Sequence, residues 1–391
     1  MSRMQARPAF LQPVAFLVEY FDPVADSIQT FVLTVFPDQK VQMVCNNKVF
    51  LSKTYAEGLA TADLYIGGTI VLFSRELSIV SYADESTRRY FEGIQSRGFV
   101  VVLPSAMGSL GEIVSLLQED GGEGRDLNGR HRPAAAAAVI ANARMFRLEG
   151  RRGKEDHRPE LSALENAMPP SGVAVALELI VDYRQGGFDG LLAVVDSTRQ
   201  RHGGGVFASG TPAEAAKHAR YIFQEEVQEG ARRPYNHKLN NSDGEEACTL
   251  CVVKPHAVRD GRLGTVLSFV AQRGFEVTGL QMMYLGGVGA DELLRPYRGV
   301  VPYHAEAVRH LKSGPCVALL LIGGENVVEE FREACGPADP EVAKVLYPDT
   351  LRALLGVQQA TNAVHCTDLP EDGSLECQYV FDVVANGRRG A

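Results

Sequence analysis

Short runs of β-branched and aromatic residues, each a strand's length and each ended by a turn signal, fill residues 14 to 97. The runs lie at 15–20, 31–36, 40–44, 69–73 and 77–82, and Asp22-Pro23, Pro37-Asp38, Asn46-Asn47 and Gly67-Gly68 stand between them. Branched and aromatic side chains fit a pleated surface, while Gly, Pro, Asn and Asp take the backbone angles of turns. The pattern predicts a small all-β domain over 14–97, preceded by an arm at 1–13, with no cluster of side chains that suggests chemistry.

Beyond residue 97 apolar strands alternate with segments of helical spacing, and the order occurs twice. Val100-Val101-Val102-Leu103-Pro104, then Leu110-Gly111-Glu112-Ile113-Val114, returns as Leu250-Cys251-Val252-Val253-Lys254-Pro255, then Leu263-Gly264-Thr265-Val266-Leu267. The run at 171–180 returns at 313–322, beginning Ser-Gly both times. Matched blocks in one order predict tandem copies of one domain, at 98–227 and 247–388, joined by a polar linker at 228–246. The Gly-, Arg- and Asp-rich stretch 119–133 and the charged stretch 149–158 read as insertions or mobile loops. Each copy opens strand, Pro-containing turn, helix, strand. The second continues with a helix near 290–312, a strand at 316–322, helices at 325–335 and near 350–355, and a final strand at 377–384. The fold class is α+β: a mostly-β N-terminal domain followed by two tandem ferredoxin-like α/β sandwiches.

A chain of 391 residues has room for this organisation. Its net charge of −9 gives no global attraction to nucleic acid or to an anionic membrane, and neither is expected as a partner. The N-terminus carries no charged-then-apolar signal, so the protein is expected inside the cell. The seven cysteines are odd in number and scattered, unlike a secreted disulfide framework. Cys248 and Cys251 have CxxC spacing, but they sit in an apolar strand, where residues three apart point to opposite faces.

The second copy carries the candidate chemistry. Asn362-Ala363-Val364-His365-Cys366-Thr367-Asp368 sets a histidine between an Asn and a Thr-Asp pair. Around it the sequence supplies Lys254-Pro255 at a strand's end, Arg332 on a predicted helix, Arg352 in Thr350-Leu351-Arg352, and Glu376 at the start of the predicted last strand. With these residues, 247–385 resembles the nucleoside diphosphate kinases. Their Lys-Pro-Asp turn appears as Lys254-Pro255-His256, and their Asn-x-x-His-Gly-Ser/Thr-Asp motif appears with Cys366 in the glycine slot. The resemblance implies that His365 carries phosphate between nucleotides, a task suited to an imidazole that is neutral near pH 7. It implies that Glu376 orients the ring, that Lys254, Arg332 and Arg352 hold phosphates, that Asn362 contacts the sugar, and that Tyr303 stacks on the base. Mg²⁺ is implied as part of the ATP or other triphosphate, with no metal site of the protein's own. Two family positions differ: the Thr after the arginine helix is Ala338, and the Tyr before the stacking aromatic falls near Leu294 or Arg295, with Tyr297 close by.

The first copy has Leu103 in the lysine slot, and Val206-Phe207-Ala208-Ser209-Gly210 where the histidine motif belongs. Ser209 or a neighbour stands in for the nucleophile, and a serine without a nearby base is a poor phosphate acceptor. The stretch before it is shorter than in the second copy, so part of the nucleotide-binding loop is missing. This copy is expected to be a scaffold half.

The order of domains resembles the seventh class of these kinases, whose N-terminal module is the DM-ten domain. Glu19-Tyr20-Phe21-Asp22-Pro23, Asp63-Leu64-Tyr65-Ile66-Gly67 and Phe73-Ser74-Arg75-Glu76-Leu77 carry that likeness. The resemblance implies residence in the cytoskeleton, within the axoneme of a cilium or flagellum, as a microtubule inner protein. Its implied partners are tubulin, other inner proteins of the doublet and the γ-tubulin ring complex. Two functions follow as expectations: an axonemal protein with a working second copy, or a purely structural component whose kinase folds serve as packing surfaces.

Overall fold

The computed structural model describes residues 11–118, 138–147, 162–167, 172–225 and 247–384, except residues 23, 24, 26, 57, 58, 60, 74, 184 and 185. The linker 228–246 and most of the stretches expected as insertions fall outside the described residues.

The first domain is an antiparallel sheet of order β4-β3-β2-β1-β6-β5. Its strands are β1 (Val14–Asp22), β2 (Ser27–Val35), β3 (Lys40–Cys45), β4 (Lys48–Tyr55), β5 (Thr69–Leu72) and β6 (Arg75–Tyr82). Alternation puts Phe16, Phe31, Leu33, Val41, Leu77 and Ile79 on one buried face. The domain is not wholly β: the helix Glu85–Glu92 covers that face and drives Phe91 into it. Asp84 caps this helix by accepting from the Thr87 amide at 2.7 Å. Thr87 Oγ1 in turn accepts from the Ala15 amide at 2.9 Å, which fastens the helix start to β1.

The two copies share one eight-stranded sheet, of order β10-β7-β9-β8-β12-β13-β11-β14. The first supplies β7 (Gln95–Val102), β8 (Val139–Arg147), β9 (Val173–Asp182) and β10 (Val206–Ala208). The second supplies β11 (Cys248–Val253), β12 (Glu276–Tyr284), β13 (Pro315–Ile322) and β14 (Val364–Cys366). Read outward from the centre, each half has the same order, second strand, third, first, fourth, which is the ferredoxin-like arrangement. The halves meet edge to edge where β8 pairs with β12 at Arg144 and Gln281. Arg144 Nε donates to Gln281 Oε1 at 2.9 Å, and its Nη1 donates to the Ile222 carbonyl at 2.9 Å, so the buried guanidinium is satisfied across the seam.

A single apolar cluster runs beneath the sheet from Val100 through Leu280 to Val364. The helices Leu110–Gln118 and Leu263–Gln272 cross over that seam at two glycines. A Cβ on Gly111 would lie 2.3 Å from the Ser268 amide nitrogen, and one on Gly264 would lie 2.3 Å from Ser115 Oγ. Only glycine permits so close a crossing. Arg97 links the first domain to the large sheet, bonding both the Ile66 carbonyl and Glu178.

One strand expectation holds and one changes. Cys248 and Cys251 do lie on β11 and face opposite clusters. The final segment, however, is the helix Gly373–Gln378 continued by a wider π-type turn over Tyr379–Val384. Its buried positions, Cys377, Val380 and Phe381, follow helical spacing. The first copy ends in the same way, with the helix Pro212–Arg220 and a π-type turn over Tyr221–Glu225. Between the helices expected at 325–335 and near 350–355, where the sequence pattern predicts no element, lies the helix Pro340–Leu346.

Candidate active site

β14 is an edge strand pairing with β11, and it sets His365 opposite Val252. Just before it, Ala363 adopts φ 73°, a left-handed angle that a non-glycine residue rarely takes and that the surroundings must hold in place. Its carbonyl accepts from the Lys254 amide at 2.9 Å, which locks the histidine strand to the lysine turn.

His365 is 4 % exposed, and its Nε2 lies 3.2 Å from Glu376 Oε2. Thr367 Oγ1 donates to the same oxygen at 2.9 Å. Burial pushes the imidazolium down, but the charge and hydrogen bond of Glu376 outweigh it, and the His365 pKa is raised. Burial pushes the Glu376 carboxyl up, and the His365 charge reverses that, so its pKa is lowered. With the proton held on Nε2, Nδ1 keeps the lone pair.

An open cavity of about 1190 Å³ lies in front of His365. Lys254, Tyr303, Arg332, Arg352 and Asn362 line it, and Glu376 sits behind the ring. The structure therefore brings all seven expected site residues together, although Glu376 rises from a helix rather than a strand.

Lys254 is buried beside the Ala360 carbonyl, which its Nζ meets at 3.1 Å. Burial, with the neighbouring Arg352 charge, draws its pKa from 10.5 to about 7. Arg352 is anchored by the Gly336 carbonyl at 2.7 Å and the Val364 carbonyl at 3.3 Å, and its buried Nε has no partner. Asn362 Nδ2 donates to the Ala338 carbonyl at 2.9 Å, so the main chain of Ala338 orients the amide, and the buried Oδ1 is left without a partner.

Two residues complete the site. Asp368 pairs with Arg332 Nε at 3.1 Å and accepts from the Tyr297 hydroxyl at 2.5 Å. The Tyr297 ring stands edge-on to His365, centroids 6.3 Å apart. Asp368 closes the histidine motif, so its type was visible. Tyr297 stands close to the family's Tyr slot in the sequence, but it sits on a short 3₁₀ turn, Arg295–Tyr297, out of step with the family spacing, so the sequence gives it no role.

The first copy is built on the same plan with other side chains. The Leu103 amide donates to the Gly205 carbonyl at 2.9 Å, just as the Lys254 amide donates to Ala363. In that register Phe207, paired with Val101, stands where His365 stands, and Ser209 matches Thr367. Ser209 is thus not the stand-in for the nucleophile. Nor does it lack a base: His218 Nδ1 lies 2.7 Å from its Oγ, in the place of Glu376. Both are buried, with the rings of Phe99 and Phe207 against the imidazole. Between β9 and β10 the chain forms one helix, Gly187–Arg201, with nothing among the described residues matching the helices Pro340–Leu346 and Leu351–Leu355 that wall the second copy's cavity.

The chain is 34% identical over 393 residues to nucleoside diphosphate kinase homolog 7 of Rattus norvegicus, covering 95% of this chain and 93% of that one. It belongs to the nucleoside diphosphate kinase family, of the homolog 7 type. The homolog 7 protein of Mus musculus is 33% identical over 401 residues, with the same coverage. The nucleoside diphosphate kinase family profile matches residues 247–385. The nucleoside diphosphate kinase of Aquifex aeolicus is 36% identical over 133 residues, 34% of this chain and 92% of its own length. A crystal structure of that kinase covers 34% of this chain and 94% of its own, with 35% identity and a TM-score of 0.33. The kinase profile falls on the copy that holds His365, Glu376 and the cations.

Proposed function

We propose that the second copy moves the γ-phosphate of one nucleoside triphosphate to another nucleoside diphosphate through His365 Nδ1. The observation that carries this is the Nε2–Glu376 pair, which fixes the tautomer and leaves Nδ1 as nucleophile beside a cavity lined with cations. Nδ1 attacks the γ-phosphorus in line; the N–P bond forms and the P–O bond to the departing diphosphate breaks. Glu376 stabilises the charge that develops on the ring. A second diphosphate then takes the phosphate by the reverse step.

Lys254, Arg332 and Arg352 neutralise the phosphates, the largest contribution available in phosphoryl transfer. Mg²⁺ enters as part of the nucleotide substrate. The unpartnered Asn362 Oδ1 accepts from a ribose hydroxyl. Tyr303, at the mouth, stacks on the base, a contact that reads no base edge and so tolerates any of them. Incubation with labelled ATP tests this: label accumulates on His365 and is absent from His365→Ala. Undiminished labelling of the variant overturns it.

The N-terminal domain supports a place for this activity in the axonemal cytoskeleton, bound to tubulin and neighbouring inner proteins of the doublet. Its edge strand β4 leaves Val49, Phe50 and Tyr55 exposed, anchors suited to a shape-dependent contact. Bulk charge cannot serve, since the chain carries −9 against an acidic partner. Stepwise extraction of axonemes tests the placement. The full-length chain resists detergent and leaves only with salt, whereas a chain starting after the helix Glu85–Glu92 is released early; equal retention of the two refutes it.

A further inference from the structure

Gln359, half-buried, lines the cavity in front of His365 and takes no part in the phosphoryl transfer. It sits on the tight turn 357–361, which the Val357 amide closes by donating to the Thr361 carbonyl at 3.0 Å. The turn is held on both sides. The Ala360 carbonyl accepts from Lys254 Nζ at 3.1 Å, among the phosphate cations. Gln358 Nε2 donates at 3.2 Å to Glu306 Oε1, on the helix His304–Leu311 that Tyr303 caps. The turn therefore reaches from the phosphate end of the cavity to the aromatic at its mouth.

The Gln359 amide is also fixed in direction. Its Nε2 donates to Asp339 Oδ2 at 2.8 Å. The other Asp339 oxygen accepts from the Glu341 amide at 3.0 Å, at the start of the helix Pro340–Leu346, which steadies the carboxylate. The bond from Gln359 comes first among the causes that hold the Asp339 carboxyl below its usual range, and an ionised carboxylate only accepts. The amide must present N–H to it, and Oε1 is the atom left for a ligand. The Tyr303 hydroxyl lies within electrostatic reach of Arg352 and Asp339, which puts the ring and the Gln359–Asp339 pair at the same end of the cavity.

We propose that Gln359 makes the site selective for cytosine and adenine, which carry an amine at C4 or C6, over uracil, thymine and guanine, which carry oxygen there. The stack on Tyr303 accepts every base, so selection needs a polar group directed at the ring's edge. Oε1 is an acceptor that its carboxylate partner keeps from turning. It accepts from an amine at C4 of a pyrimidine or C6 of a purine, while a carbonyl oxygen there meets it with like partial charge and stays unpaired. A base at the mouth keeps part of its hydration. The difference is then the net worth of one hydrogen bond, on the order of three- to tenfold in affinity. This inference rests on the nucleotide reading of the cavity, though not on transfer through His365.

The test is calorimetry of the full chain with CDP, UDP, ADP and IDP, with no triphosphate present and so no turnover. CDP should bind about three- to tenfold more tightly than UDP, and ADP more tightly than IDP by a similar factor. Gln359→Met, which keeps the length of the side chain without the amide, should weaken CDP to the level of UDP and leave UDP within about twofold of its parent value. Asp339→Asn keeps the helix cap but lets the Gln359 amide turn and offer N–H, so the preference for CDP should shrink while both diphosphates still bind. The proposal is overturned if the parent chain binds CDP and UDP equally, or if the preference survives in Gln359→Met. Should that variant fail to fold by its thermal melt, Asp339→Asn decides, and an unchanged preference there overturns the proposal. If none of the four diphosphates binds, the nucleotide reading falls and this inference with it; if they bind equally, the nucleotide reading stands and only the selectivity fails.

Discussion

Nucleotide binding should take up a proton, and the group that takes it is Lys254. In the empty site burial and the Arg352 charge hold its pKa near 7, against the ordinary 10.5. That gap of about 3.5 units corresponds to on the order of 5 kcal/mol against the charged form. A polyphosphate beside Nζ removes the cause, because its negative charge favours the ammonium. At about pH 8, roughly one Lys254 in ten is protonated in the empty site and nearly all are in the complex, so binding absorbs about 0.9 proton. The sign fixes the affinity trend: between about pH 7 and 10 the complex holds more protons than its parts, and affinity weakens by up to about tenfold per pH unit. The assay is titration calorimetry with ADP in buffers of different ionisation heat. His365→Gln serves as background, to silence the imidazole and prevent turnover. Lys254→Arg, permanently charged, should abolish the uptake. An uptake below about 0.2 proton in the His365→Gln background at about pH 8 refutes the reasoning.

Glu376→Gln keeps the bond to Thr367 but loses the charge, so the domain stays folded by its thermal melt while labelling slows by on the order of 10²; full activity means another group orients His365. Because Glu376 raises the His365 pKa above 6.5, the neutral nucleophile is lost at a higher pH than for a free imidazole. The acid limb of the labelling rate should sit above that value and move down in Glu376→Gln; a limb that does not move removes the linkage. Gly264→Ala places a Cβ 2.3 Å from Ser115 Oγ and 2.5 Å from its amide nitrogen. Overpacking against main chain costs about 1–3 kcal/mol and exceeds the helix-propensity gain of up to about 1, so the urea midpoint falls; an unchanged midpoint contradicts the close crossing. Leu103→Lys together with Phe207→His leaves the first copy unable to accept label, since no counterpart of the helices that wall the cavity occurs among its described residues; phosphate label at position 207 in the full-length chain that also carries His365→Ala would contradict this.

Much of this organisation was legible in the chain because it is local. Five of the first domain's strands announce themselves by composition. β4 does not, since Lys48–Tyr55 lies at an edge, mostly exposed, and needs no apolar face. The segment holding Cys377, Val380 and Phe381 reads as strand because Tyr, Val and Phe favour sheets, yet its burial has helical spacing. The repeat was evident, but its register was not. Phe207 rather than Ser209 occupies the histidine's place, and only the pairing of β10 with β7 assigns it.

The site divides in the same way. By itself the sequence determined the identities that chemistry needs: His365, Glu376, Lys254, Arg332, Arg352, Asn362 and Tyr303, in a copy whose twin lacks the nucleophile and the lysine. Residue type and spacing are written along the chain, and a nucleophile or a cation is recognised by type. Only the tertiary structure decided which nitrogen of His365 is free, that Asp368 holds Tyr297 and Arg332 together, that Ser209 faces His218, and that Cys366 faces Arg352. It also joined the halves through β8 and β12. Protonation, pairing and edge contacts depend on distances between residues far apart in sequence, and those distances exist only once the sheet and its core have formed.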